Sequence, residues 1–337
     1  MDTRLAHLIA DFQASVLTAV ALMHRSGLPL PHSSREWAEA DVPGSGVLDG
    51  GVYYYKHGAG CEVCLETGTV DFDFGENGEV NGFDEWRLAE FAAKKLGDYG
   101  FESRKELYDC FEAEVASKAL VRSGYDLYYV ASLPRLLAVD VDCRLPGDML
   151  PHRDQDRVLV LHAHYFLTAD LMHQNYKKLK RKIEKSDRLS RNEKINYRIY
   201  LVSWLGFLAV TCEGFGKLKM RLLLQEHRPA EFMELMQLSD KIGTIMKVHA
   251  DSLREFRNNV FHLRDSPAVI QQFFARDAER LSWAHTLHAI MEKFFSAYRA
   301  ECEWHYAIHH RRGEMHLTSK QRHRFLSRNK CSSGEAD

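Results

Sequence analysis

Three residues whose side chains suit acid-base chemistry on a phosphate group lie close together in the second half of the chain: Arg257, Asn258 and His262. Metal-independent cleavage of RNA needs one group that moves a proton to or from the 2′-hydroxyl or the leaving oxygen, and one cation that stabilises charge growing on the phosphate. Histidine titrates near neutrality, and the guanidinium group stays charged and matches phosphate oxygens. We therefore assign proton transfer to His262, charge stabilisation to Arg257 and a positioning role to Asn258.

These residues must be positioned by a helix, because the segment around them has helical spacing. Arg254, Asn258 and His262 recur at every fourth position and are predicted to share an outward face, with Arg257 between that face and the core. Arg254 is therefore an accessory candidate. At about 100° per residue, four apolar side chains form the opposite stripe: Leu253, Phe256, Val260 and Leu263.

Two less specific explanations compete with this assignment. Arg257 could be a surface ion-pair partner, and His262 could simply suit the end of a helix that stops before Pro267. An arginine and a histidine five positions apart are common by chance. Phe261 is predicted on the outward side as well, and an aromatic side chain there is explained most easily if a second subunit covers it, which favours a homodimer.

The motif and its context resemble the HEPN family (higher eukaryote and prokaryote nucleotide-binding domains) over about residues 157–310. The resemblance rests on Arg257-Asn258, followed after three residues by His262, and on an earlier long helix that contains the segment 204–215. It implies an all-helical bundle that dimerises with two motifs facing each other. It also implies a metal-independent ribonuclease of the kind found in toxin-antitoxin and antiphage-defence systems.

Carried over by position, the family's active-site set falls on Arg257, Asn258 and His262, and Glu213 resembles an acidic residue that some members place on a facing helix. Neither a cofactor nor a metal ion is expected at this site. RNA is the expected partner, without evident DNA specificity, together with a possible cognate regulatory protein. Some members of the family only bind nucleotides or RNA, so a non-catalytic binding module and an immunity or antitoxin-like protein stay open as alternatives.

The charge distribution indicates that the two halves of the chain have different roles. Residues 1–150 contain 13 Lys and Arg against 25 Asp and Glu, whereas residues 151–337 contain 32 against 22. A basic half attracts polyanions such as RNA, and an acidic half can repel polyanions, imitate them or cover the basic surface. The chain of 337 residues also exceeds the size at which a single core usually stops growing.

Periodicity predicts an α+β N-terminal domain followed by an all-α helical bundle. Helical spacing near the start is followed by three short runs of strand composition at 52–56, 62–65 and 70–74, then by helical segments at 84–96 and 102–121 and another possible strand at 125–130. The predicted organisation is a small acidic domain at 1–135, a linker at 136–155, a helical bundle at 156–312 and a basic tail at 313–337. Within the bundle, helical spacing predicts helices near 157–185, 191–226, 229–262 and 268–312.

Other candidate ligands in the sequence are weaker. His57, Cys61 and Cys64 offer three zinc ligands, but a structural site usually needs four. Asp71 and Asp73 alternate with phenylalanines as on a half-buried strand, and we expect them to face water. Seven cysteines scattered along the chain do not look like a disulfide framework, and charged residues interrupt the first apolar segment, so we expect a protein in the cytoplasm and no membrane anchor.

Overall fold

A computed structural model describes residues 1–123, 126–186, 188–261, 267–275 and 279–316, with the side chains of all of these except 267–269. The chain divides into two compact units, one of Met1–Leu145 with the described residues from Tyr306 onward, and one of Pro146–His305. The division falls inside the predicted linker. The structure groups residues 306–312, which the sequence assigned to the helical bundle, with the first unit.

The first unit is built on the N-terminal helix α1 (Thr3–Arg25). Its N-cap Asp2 accepts a hydrogen bond from the backbone N–H of Arg4, which satisfies one of the unpaired donors at the helix start. Eight side chains of α1 are buried, and they recur at helical spacing: Leu5, Leu8, Ile9, Phe12, Val16, Ala19, Val20 and Met23. A short helix, α2 (Ser34–Glu39), follows and is capped by Ser33.

An antiparallel sheet of four strands follows in chain order: β1 (Ser45–Val47), β2 (Tyr53–His57), β3 (Gly60–Leu65) and β4 (Gly68–Asp73). The last three confirm the predicted strands. Val63 and Val70 are directly opposite each other and buried, so one face of the sheet contributes to the core. On the other face, His57 lies opposite Gly60, which in turn lies opposite Asp73.

Two helices and a two-stranded ladder complete the N-terminal region. They are α3 (Glu85–Ala92), α4 (Arg104–Ala116), β5 (Leu120–Arg122) and β6 (Tyr128–Val130). Both helices are shorter than the sequence indicated. Strand β6 confirms the end of the strand expected at 125–130, while residues 124 and 125 lie outside the described part of the chain. The prediction of an α+β N-terminal region is therefore confirmed.

A segment from the far end of the chain packs into this first unit. Arg311 is 2% exposed, and its guanidinium forms an ion pair with Glu314 at 2.6 Å. Gly313 lies so close to α1 that an added Cβ would be 2.1 Å from a ring carbon of His24. Only glycine fits this approach without moving the histidine. Residues 317–337, which include most of the predicted basic tail, lie outside the described part of the chain.

The second unit is mostly helical, as predicted. Its helices are α5 (Arg157–Leu161), α6 (Leu167–Ser186), α7 (Arg191–Lys217), α8 (Met220–Glu226), α9 (Met236–Phe261), α10 (Pro267–Phe273) and α11 (Arg280–Ile308, of which the residues to His305 belong to this unit). Helix α7 begins with a reciprocal capping box between Ser190 and Glu193.

Two of the long predicted helices are interrupted. A π-helical turn at His162–Phe166 separates α5 from α6, where the sequence predicted one helix over 157–185. Lys219, with φ of 48°, separates α7 from α8, where one helix was predicted over 191–226. Both breaks keep the surrounding segments helical, because each changes the backbone at only a few residues.

A buried ionic network holds the start of α5 to the middle of α11. Asp156 is 0% exposed and accepts hydrogen bonds from Arg228 Nη2 at 2.9 Å and from the Tyr298 hydroxyl at 2.7 Å. Arg228 Nε also donates to the Tyr298 oxygen at 2.5 Å. The same carboxylate caps α5 by accepting from the backbone N–H of Val158. Burial raises the pKa of Tyr298 well above its usual value, so the phenol stays a donor.

Helices α1 and α7 are long and apolar enough to cross a membrane by length and composition alone. Each contributes its apolar face to the core of its own unit, with α1 buried against the sheet and Trp204 and Leu205 of α7 fully buried. A core helix of a soluble protein meets the same criteria, so both helices are consistent with a soluble protein.

Candidate functional site

The predicted site segment lies on the C-terminal half of α9. Leu253 and Phe256 are fully buried, as their positions in the apolar stripe predicted. The Phe256 ring packs against Phe273 and Phe274, at ring-centroid distances of 4.8 Å and 5.6 Å. This packing fixes the rotation of α9, so the residues between the buried positions are turned away from the core.

Arg257 meets Glu213 of α7. The Nη2 atom lies 2.9 Å from Glu213 Oε1, and the two side chains are only 19% and 27% exposed. Neither Glu213 Oε1 nor Arg257 Nε has a well-aligned hydrogen bond to any described residue, although both atoms are buried. The structure therefore brings together the predicted arginine and the acidic residue that the family resemblance indicated only weakly.

The neighbouring polar residues of α9 have different environments. Arg254 is exposed and forms an ion pair with Asp251 at 3.1 Å, one turn before it on the same helix. Asn258 is half-buried beside Arg257. The amide of Asn259 donates to the backbone carbonyl of Glu255 at 2.9 Å, so it serves the helix itself. His262 lies outside the described residues, directly after the last residue of α9.

Phe261 is less free than the sequence indicated. Its ring covers Gly206 of α7, where an added Cβ would be 2.4 Å from the ring, and meets Phe207 edge to face at a centroid distance of 5.9 Å. The side chain remains 43% exposed. Part of the aromatic surface that predicted a subunit interface is therefore buried within the same chain.

A groove with a volume of about 690 Å³ runs between the end of α7 and the start of α8 on one side and residues 239–251 of α9 on the other. Three cations line it, namely Lys219, Arg221 and Lys247, and Arg221 pairs with Asp240 at 2.7 Å. Asp251, the partner of Arg254, lines the groove as well. The groove therefore lies along the same helix as the site segment and ends within two turns of Arg257.

A second cluster of titratable side chains lies between α6, α7 and α11. His288 Nε2 is 3.1 Å from Asp170 Oδ1, and the indole N–H of Trp204 donates to His288 Nδ1 at 3.2 Å. A ring nitrogen of His173, Nε2, lies 2.8 Å from Nδ1 of His285. Both His173 and His288 are at most 5% exposed. We call these four residues, Asp170, His173, His285 and His288, the histidine cluster.

Aromatic rings hold the histidine cluster in place. His173 stacks on Trp204 with a centroid distance of 4.2 Å, and His288 stacks on Phe166 at 4.9 Å. Burial lowers the pKa of His173 to about 2 and that of His285 to about 4, so both imidazoles are neutral near pH 7. Burial also lowers the pKa of His288, against the opposing effect of Asp170.

The weaker candidates of the N-terminal region do not form the zinc site that was considered. Cys61 is buried and Cys64 exposed, as positions on opposite faces of β3 must be. The expectation that Asp71 and Asp73 simply face water was wrong. Arg87 of α3 lies 2.7 Å from Asp71 Oδ1 and 2.8 Å from Asp73 Oδ2.

His57 joins the same ionic group. Its Nε2 lies 3.4 Å from Asp71 Oδ2, and its Nδ1 lies 3.9 Å from Asp73 Oδ1. The neighbouring Asp71 carboxylate raises the pKa of His57, and burial opposes this effect. A Cβ at Gly60 would lie 2.3 Å from Asp73 Oδ1, so glycine permits the approach. These contacts connect β2, β4 and α3.

Another histidine of α11 is buried as well. His305 is 3% exposed, and its Nε2 lies 2.9 Å from Asp148 Oδ1. Sequence reasoning also missed the histidine cluster, although its pairs share a signal. Asp170 and His173, like His285 and His288, are three positions apart and therefore on one helix face. That signal is weak for either pair alone, because only the tertiary fold brings the two helices together.

Comparison with known proteins adds one match. The model of a family described as a domain of unknown function (DUF6896) matches residues 5–130, which covers α1 to β6. No curated protein and no solved structure matches the chain. The N-terminal region is thus similar to this family, while the helical unit that contains Arg257 and Glu213 lies outside the matched residues.

Proposed function

We propose that the helical unit is a metal-independent endoribonuclease of the HEPN type, with Arg257, Asn258 and His262 as its catalytic residues. The observation that supports this most directly is the half-buried Arg257, which Glu213 orients across two packed helices at 2.9 Å. If Arg257 served only as a surface ion-pair partner, its pair with Glu213 would add little to folding stability, because exposed ion pairs contribute at most about 1 kcal/mol to the free energy of unfolding.

Glu213 has a positioning role in this proposal. A guanidinium group has five N–H donors in a fixed plane, and the contact with Glu213 uses one nitrogen. The remaining donors can bind phosphate oxygens while the carboxylate limits the rotation of the arginine. Preorganised cations of this kind stabilise the charge that develops during phosphodiester cleavage without reorganising at that moment.

His262 would transfer the proton. It follows Phe261, the last residue of α9, directly in the chain, and it stands five positions after Arg257 and four after Asn258 in the sequence. The 2′-hydroxyl is the nearest nucleophile in such a reaction, and its attack leaves a 2′,3′-cyclic phosphate. Activity should therefore persist in the presence of a chelator.

The groove beside α9 supports a polynucleotide substrate. Lys219 and Lys247 provide positive charge in this groove, and Lys247 lies about three turns of α9 before Arg257. Phosphate contacts of this type position a strand without reading its sequence. The basic half of the chain would strengthen the attraction, and its net charge predicts that binding weakens steeply with salt.

In the cell, this activity would act in the cytoplasm as a toxin or antiphage-defence effector. The acidic N-terminal domain would restrain or target it, alone or with a cognate regulatory protein. A homodimer that pairs two sites remains part of the proposal, with the exposed part of Phe261 and its surroundings as the interface.

The test is RNA cleavage by the purified full-length chain, comparing the wild type with Arg257→Ala and His262→Ala. Loss of a general acid or base typically costs about 10²–10⁴-fold in rate, and loss of a preorganised donor about 10²–10³-fold. Arg299→Ala is the matched control, since Arg299 is an exposed arginine of α11. Residues that act together lose activity non-additively, so the double variant should be barely worse than either single variant.

Two further variants separate the roles of the ion pair. Arg257→Lys should lose activity much as Arg257→Ala does, because lysine lacks the planar set of donors. Glu213→Gln should reduce the rate less than Arg257→Ala, because it removes orientation but keeps the cation. Full activity in His262→Ala, or cleavage that requires a metal and leaves 5′-phosphates, would refute this mechanism. RNA binding without cleavage in the wild type would instead favour the non-catalytic binding module.

A further inference from the structure

The histidine cluster has the composition and spacing of a metal site. One ligand atom each from Asp170, His173 and His288 lies within 4.8 Å of the other two. The closest pair, Asp170 Oδ1 and His288 Nε2, is separated by 3.1 Å. Ligands about 2.0–2.2 Å from one zinc ion are separated from each other by a distance of this order.

One buried ring nitrogen of the cluster has no hydrogen-bond partner among the described residues. His173 is 5% exposed, its Nε2 contacts His285, and its Nδ1 is buried without a hydrogen bond to any described residue. A buried nitrogen without a partner costs free energy, and a bound cation would remove that cost.

We propose that Asp170, His173 and His288 bind a divalent transition-metal ion, of the class of Zn²⁺, Co²⁺ or Ni²⁺, between helices α6 and α11. Two imidazoles and one carboxylate suit these ions better than Mg²⁺ or Ca²⁺, which prefer oxygen ligands. Three protein ligands leave one coordination position for water. The side chain of Asp170 is 20% exposed, which gives the ion a route from solvent.

The contacts around the three ligands fit the outer shell of such a site. His285 Nδ1 can accept the Nε2 proton of His173, which would direct the lone pair of His173 Nδ1 toward the ion. The stacking of His173 on Trp204 and of His288 on Phe166 limits rotation of both imidazole rings. These contacts therefore restrict the orientation of both histidine ligands.

One contact must change. The indole N–H of Trp204 can only donate, so its bond to His288 Nδ1 requires the ring proton to be on Nε2, where it faces Asp170. Coordination through Nε2 moves this proton to Nδ1 and breaks the bond to Trp204. The emission of Trp204 should thus change when the metal binds, which gives a spectroscopic signal from the site itself.

The site shares no residue with the proposed ribonuclease centre, so the ion would fix α6 against α11 and take no part in RNA cleavage. Chelation should then lower the thermal stability of the helical unit without abolishing cleavage. The two proposals can fail independently, because one is measured by metal content and the other by RNA products.

The experiment is a titration of the metal-free, full-length chain with Zn²⁺ and Co²⁺. Binding is measured by isothermal titration calorimetry and by tryptophan fluorescence. The wild type should take up one ion per chain and change its fluorescence. Loss of an outer-shell partner typically weakens metal binding about 10–100-fold, and Asp170→Asn and His173→Gln should weaken it by more. His249→Gln is the control, because His249 of α9 is also a partly buried histidine beside a tryptophan, Trp283.

His285→Gln should cause an intermediate loss, since it would remove an outer-shell contact only. Asp170→Asn is a mild change at a partly exposed side chain, and its circular dichroism establishes that the variant is folded. Failure of the wild type to take up either ion stoichiometrically would overturn the proposal. Equal affinity in the wild type and the Asp170→Asn and His173→Gln variants would overturn it as well.

Discussion

Replacing Asp156 with alanine should strongly destabilise the helical unit. The substitution leaves Arg228, whose side chain is 6% exposed, as a buried cation without its carboxylate. Breaking a buried ion pair by removing one partner costs about 3–5 kcal/mol, and the loss of the N-cap of α5 adds about 1 kcal/mol. The Tyr298 hydroxyl also loses an acceptor.

The assay is differential scanning calorimetry of the full-length chain. For a domain of this size each kcal/mol shifts the melting temperature by roughly 2–4 °C, so the transition of the helical unit should move down by roughly 8–24 °C. Asp240→Ala is the matched control, because Asp240 pairs with Arg221 on the surface, where both side chains are about half exposed. That variant should lose at most about 1 kcal/mol.

A double variant separates charge from packing. Asp156→Ala with Arg228→Met should recover part of the lost stability, because it removes the uncompensated cation along with the carboxylate. Equal melting temperatures for Asp156→Ala and Asp240→Ala would refute the conclusion that this network stabilises the unit. A double variant no more stable than Asp156→Ala would show that the unpaired charge is not the main cost.

Three other outcomes follow from the structure. The pKa of His57 is raised in the folded state, so the stability that protonated His57 contributes should be complete below about pH 6.5 and lost as pH rises through the folded-state pKa. The free energies of unfolding of wild type and His57→Gln, measured in urea, should therefore differ more at pH 5.5 than at pH 8.5. Equal differences at the two pH values would contradict this. Gly206→Ala should cost about 1–3 kcal/mol because the added methyl group meets the ring of Phe261, and Phe261→Ala should cancel that cost in a thermal melt. If the exposed part of Phe261 is a subunit interface, Phe261→Asp should convert a dimer to a monomer in light scattering, whereas a monomeric wild type would count against the dimer.

Much of the fold could be predicted from local patterns. The buried positions of α1 and of strands β2, β3 and β4 follow directly from their periodicity, because each buries one face against the same core. Strand β1 was missed, since Ser45-Gly46-Val47 has little strand character of its own and is fixed by pairing with β2. The breaks before α6 and after α7 were missed because neither contains the glycine or proline that usually marks one.

The candidate site shows the same division between local and tertiary information. The orientation of Arg257 follows from the stripe of Leu253 and Phe256, which is a property of a single helix. Its partner Glu213 came only from the family resemblance, because 44 positions separate the two residues in the sequence. The histidine cluster depends on two helices more than 100 positions apart, a separation that no local pattern can bridge.

The segment around Arg311 and Gly313 has a consequence for how the protein is made. The first unit contains both the beginning and the far end of the described chain, and the helical unit is inserted between them. A ribosome therefore releases all of Pro146–His305 before it supplies the residues that pack beside His24. The helical unit can fold while the N-terminal domain is still missing its last segment. The first unit can therefore complete its packing only after the helical unit has been synthesised.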